Sequence, residues 1–131
     1  MQFMTTDALD YYAAPGRFTV LDDGDFHSHD IAAVVTAVQG LLIYDVVAEP
    51  FYGVTLSEQQ ADSIHLRDTA ALLAVARAVD PRPLDEPRRP ANRVGARCHV
   101  FSRLTVAFLR AAGVPARARC GFGTYSAATM S

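Results

Sequence analysis

Between Ile31 and Val46 the apolar residues Ile31, Val34, Val35, Val38, Leu41, Leu42 and Val46 keep the i, i+3, i+4, i+7 spacing of one helix face. Ser28 or Asp30 supplies an N-cap, so the pattern predicts a helix that runs on toward Pro50. Ser57 and Gln60 have capping-box spacing and predict a short helix. The stretch HLRDTAALLAVARAVD predicts a second, with Leu66, Leu73 and Ala76 on its buried face and Asp80-Pro81 as its stop. AEPFYGVTLS, between these helices, reads as a loop. Residues 1 to 26, where Pro15-Gly16 and Asp23-Gly24 flank a short apolar run, read as irregular.

The segment PRPLDEPRRPANRVGAR carries four of the seven prolines, a density incompatible with helix, and is predicted to be an extended connector. Cys98 then opens a helix striped by Phe101, Leu104 with Thr105, Phe108 and Ala112, with Gly113 at the left-handed cap position and Pro115 just beyond. From Ala116 to Tyr125 the side chains alternate, Ala116, Ala118, Cys120 and Phe122 against Arg117 and Arg119, which predicts a strand. Its only candidate partners are short, at 17 to 22 and 51 to 56. The edge is therefore expected to be unpaired and to favour self-association.

With 131 residues, half of them hydrophobic, the chain suits one domain spanning 1–131. It contains no apolar run of membrane-spanning length, and MQFMTTDALD lacks the basic start and apolar block of a signal peptide. No membrane partner and a cytoplasmic location are expected, with Cys98 and Cys120 reduced. The net charge of −2 hides a division: all 12 basic residues are arginine, and eight of them follow the last carboxylate, Glu86. A basic surface for nucleic acid is one reading. The arginines are spread over several elements, so pairing of Arg117 and Arg119 with upstream carboxylates is preferred, with no nucleic-acid partner. Arg88 and Arg89, between prolines, read as a solvated arm.

A cysteine in the first turn of a helix meets unpaired N–H groups and the positive end of the helix dipole, which favour a thiolate nucleophile. A buried core thiol is the competing reading. His27 and His29 with Asp30, or Cys98 and His99 with Cys120, fall short of a complete ligand set, so no metal is expected. Gly121-Phe122-Gly123 lies in the predicted strand, where it is no phosphate loop.

The block from Gly95 to Tyr125, GARCHVFS with its apolar helix and then AAGVPARARCGFGTY, resembles the core of bacterial transglutaminase-like domains, within the papain-like cysteine superfamily. The segments YYAAPG, VQGLLIYD, YGVTLSEQQADSIHLRD and DPRPLDEPRRPANRVG are similar to the N-terminal part of one bacterial subgroup. The resemblance implies an α+β fold with a helical N-terminal half and a cysteine-bearing helix packed on an antiparallel sheet. It also implies Cys98 as the nucleophile of thiol acyl transfer, or of amide or peptide hydrolysis, on a peptide or glutaminyl substrate without a cofactor. Two features depart from the family. Val100 stands where a polar residue is usual, and the family's histidine and acid follow on later strands, whereas only His99 follows Cys98 here and no carboxylate follows Glu86. The expectation is a domain incomplete at its C-terminus and inactive as this chain, with a non-catalytic interaction module or fragment as the alternative.

Overall fold

The computed structural model describes residues 6–16, 19–21 and 25–118. Among them the chain is mixed α+β and mostly helical, with one small two-stranded parallel sheet. Six helices, α1 (Thr6–Ala13), α2 (Ile31–Leu41), α3 (Ala48–Tyr52), α4 (Glu58–Asp62), α5 (Thr69–Val79) and α6 (Cys98–Ala111), surround strands β1 (Leu42–Tyr44) and β2 (Val94–Ala96). The strands pair with Leu42 opposite Val94, Ile43 opposite Gly95 and Tyr44 opposite Ala96. Thus α2 runs straight into β1, β2 leads into α6, and α2 packs on α6.

The helix expected to reach Pro50 ends at Leu41. Leu42 turns extended (φ −114°, ψ 151°) to join the sheet, and its N–H still bonds the Val38 carbonyl. AEPFYGVTLS is not all loop: Ala48–Tyr52 is helical, because Pro50 sits in the first turn where no intrahelical N–H is needed, and Gly53 closes it at φ 63°. Residues 51 to 56 are therefore no strand. Likewise α1 occupies part of the segment expected to be irregular.

The second predicted helix starts later than expected. Ser63–His65 form a 3₁₀ turn, Leu66 is extended and half-buried, and Asp68 caps α5 by accepting from the Ala70 N–H at 3.1 Å. The pair of strands is parallel, in place of the antiparallel sheet expected. The predicted strand from 116 begins in irregular chain, and residues 119–131, with Cys120 and Arg119, lie outside the described residues.

Val34, Val38 and Leu41 of α2, Leu72 and Leu73 of α5, and Val100, Leu104 and Phe108 of α6 meet over β2 in the core. Phe26 stands edge-to-face on Phe108, ring centroids 5.2 Å apart. On the other flank α1 packs against α6. The Tyr12 carbonyl accepts from the Ala116 N–H at 3.0 Å. Arg117, expected on a carboxylate, instead lies over the Tyr12 ring at 5.2 Å and donates to its hydroxyl at 3.2 Å. No described helix is long and apolar enough to cross a membrane.

Candidate functional site

Cys98 is the first residue of α6, and its side chain is exposed. The parallel register places it at the carboxyl ends of both strands, since Tyr44 faces Ala96 and the chain continues on one side to Asp45 and on the other to Arg97 and Cys98. Those next residues lock together. Arg97 Nε donates to Asp45 Oδ1 at 3.1 Å and Nη2 to Oδ2 at 3.2 Å, a two-pronged pair that holds the guanidinium above its ordinary pKa. Arg97 is also the N-cap, with no side-chain cap bond, and its carbonyl accepts from Val100 N–H at 2.9 Å and Phe101 N–H at 3.2 Å. Val100 is fully buried in the core.

The strand before Cys98 is held from below by α4 and the turn after it. Ser57 and Gln60 form the predicted capping box, and Gln60 reaches further: its side-chain amide donates to the Ala91 and Arg93 carbonyls at 2.9 and 2.7 Å. Ser63 Oγ donates to the Gly95 carbonyl at 3.1 Å. A Cβ on Gly95 would stand 2.8 Å from the Gln60 carbonyl oxygen and 2.9 Å from Leu56 Cδ1, so this approach needs glycine. Arg103, one helix turn and more beyond Cys98, bonds the Leu66 carbonyl at 2.8 Å, and burial lowers its pKa.

The approach to β2 is a strap, residues 80–93, organised around Arg88. Expected in solvent, Arg88 is 1% exposed. Its Nη1 donates to the Pro83 and Glu86 carbonyls, both at 3.1 Å, and Nη2 to those of Asp80 at 3.1 Å and Arg82 at 2.8 Å. Burial lowers its pKa. Burial acts to raise the Asp80 carboxyl, but bonds from the Arg82 side chain and backbone, the Arg82 charge and the Asn92 amide outweigh it, leaving the group below its ordinary 3.8. The Arg88 N–H bonds the Gly40 carbonyl at 3.1 Å, and a Cβ on Gly40 would meet Pro87 Cα at 2.9 Å.

All four histidines lie within the described residues, and none is hydrogen-bonded to Cys98. His65 and His99 are exposed; His27, also exposed, has Nδ1 3.1 Å from the Asp25 carbonyl oxygen, and Asp25 itself pairs with Arg77. Asp30, near His29, caps α2 by accepting from the Ala32 N–H at 3.0 Å. Among the described residues no three His, Cys, Asp or Glu side chains gather as a metal set. No protein-family model matches the chain, and neither a curated protein nor a solved structure matches it.

Proposed function

We propose that Cys98 is the nucleophile of a thiol acyl-transfer site of the transglutaminase-like kind, acting on a peptide or glutaminyl amide. The observation that carries this reading is the placement of an exposed thiol at the first residue of a 14-residue helix, at the carboxyl ends of two parallel strands tied by Arg97 and Asp45. Ligand sites in parallel α/β units lie at such ends. In the reaction Sγ attacks the amide carbonyl carbon, the C–N bond breaks, and the nitrogen leaves with a proton. Water or an amine then attacks the thioester and returns the sulfur.

Proton delivery to the leaving nitrogen needs a positioned acid, and no histidine bonds Cys98. Amide turnover by the chain alone is therefore expected to be no faster than that of its Cys98→Ala variant. An activated ester separates nucleophile from acid, because p-nitrophenolate leaves without protonation. With p-nitrophenyl acetate the expected outcome is a burst of one nitrophenolate per chain, with acetyl on Cys98 by mass spectrometry. A burst that persists in Cys98→Ala, or none at all, sinks the proposal. The missing histidine contact also favours a second reading, a non-catalytic interaction module, which predicts the absence of any Cys98-dependent burst.

A further inference from the structure

Next to the first turn of α6 a cleft of about 510 Å³ opens between α2, β1, α3 and the strap. Its size falls within the range of small-molecule sites, roughly 300–1,000 Å³. Ile43, Val47 and Phe101 give it an apolar wall, and Gln39 and Tyr52 bring polar atoms to it. Among the described residues one charged side chain lines it, Arg93, and no carboxylate does. Arg93 Nε donates to the Arg88 carbonyl at 2.9 Å, which anchors the guanidinium to the strap. Its two terminal nitrogens have no hydrogen-bond partner among the described residues.

A held guanidinium with two free terminal NH2 groups, set beside an apolar wall that carries no carboxylate among the described residues, is a receptor for one planar monoanion attached to an apolar body. A phosphate dianion is a poorer match, since a single cation neutralises only half of its charge. We propose that this cleft binds a small carboxylic acid with an apolar body, such as an N-acylated apolar amino acid, with the carboxylate on Arg93 and the body against Ile43, Val47 and Phe101. Phe101 follows Cys98 by three residues, so a bound acid sits along the helix face that carries the thiol. Binding itself asks nothing of Cys98 chemistry.

The test is a titration of the full chain with N-acetyl-L-phenylalanine and, separately, with its neutral carboxamide, followed by amide chemical shifts at Gly40, Ile43, Tyr44 and Val47. The acid is expected to saturate with a dissociation constant of about a millimolar. The carboxamide is expected to bind about ten-fold more weakly, the usual loss of a charge-assisted pair. Arg93→Gln is expected to abolish that difference.

Arg93 also supports the strap, so Gln39→Glu, which adds a negative charge to the cleft from the exposed side of α2, gives an independent reading. It is expected to weaken the acid about ten-fold and the carboxamide less than about two-fold. Equal affinity for acid and carboxamide in the unaltered protein, no saturable shift at the cleft, or unchanged acid affinity in both variants overturns the proposal. Cys98→Ala is expected to leave the titration unchanged, whereas it removes the nitrophenolate burst. A failed cleft and a failed nucleophile therefore give different results.

Discussion

The strap at 80–93 and the first turn of α6 adjoin one another and treat an arginine in opposite ways. In the strap, Arg88 is buried to 1% exposure and its terminal nitrogens are used by four backbone carbonyls. At the helix start, Arg97 stays about half in solvent and pairs with one carboxylate, and beside it Cys98 is left open. The terminal donors of the buried guanidinium are matched and its Nε is not, and a buried cation with no partners at all costs several kcal/mol. An exposed one is hydrated and contributes little. The first segment is therefore built to hold shape and the second to be reached.

The largest expected effect lies in the strap. Arg88→Met removes the guanidinium donor from the Asp80, Arg82 and Glu86 carbonyls, while that of Pro83 keeps the Glu86 N–H, and the expected loss is about 3 to 5 kcal/mol in urea unfolding. A loss below about 1 kcal/mol would erase the contrast drawn between the two regions. Gly95→Ala comes next, because the new methyl meets the Gln60 carbonyl and Leu56 at under 3 Å. Overpacking of this kind costs about 1 to 3 kcal/mol, and an unchanged urea midpoint would show that α4 shifts freely against β2.

A smaller effect follows from Asp80. Its folded pKa lies below the ordinary 3.8, so its contribution is complete above that value and disappears as pH falls through the folded pKa. Urea midpoints measured from pH 6 down to pH 2.5 should drop in this acid window, and less steeply in Asp80→Asn. Parallel curves for the two proteins would mean that Arg82 and Asn92 do not hold the carboxylate. The smallest effects belong to the helix start. Cys98→Ala is expected to change stability by less than about 0.5 kcal/mol, as exposed positions usually do. In the folded protein Cys98 should nonetheless be fully alkylated by iodoacetamide, and protection of the thiol would place it in the core.

Where local chemistry decides, the sequence was readable. Ser57 and Gln60 cap α4, Asp30 caps α2, Gly113 adopts φ 80°, and Cys98 opens α6, all signalled by residue type and spacing over one or two turns. The apolar run across Leu41, Leu42 and Ile43 was unreadable for a physical reason. Leu42 and Ile43 are both buried, and a strand covered on both faces shows no alternation, so its residues pass for the next turn of a helix.

Arg88 was missed differently. Proline removes backbone donors, so a chain with prolines at 81, 83, 87 and 90 needs its carbonyls satisfied from elsewhere. Two adjacent arginines in such a chain signal that need as well as they signal a solvated arm. Arg88 is the one that turns inward, at the point where Gly40, having no side chain, lets Pro87 close on α2 and accepts from the Arg88 N–H.

The sequence by itself determined where α2, α4 and α6 begin, the side-chain caps of α2 and α4, and a cysteine at a helix start, because these rest on contacts within a few residues. Only the tertiary structure decided that β1 and β2 run parallel, that Arg88 is interior, and that Asp45 and Arg97, 52 residues apart, join beside Cys98. Each of those depends on which distant backbone groups are left needing a partner once the helices have packed, a quantity no local pattern carries.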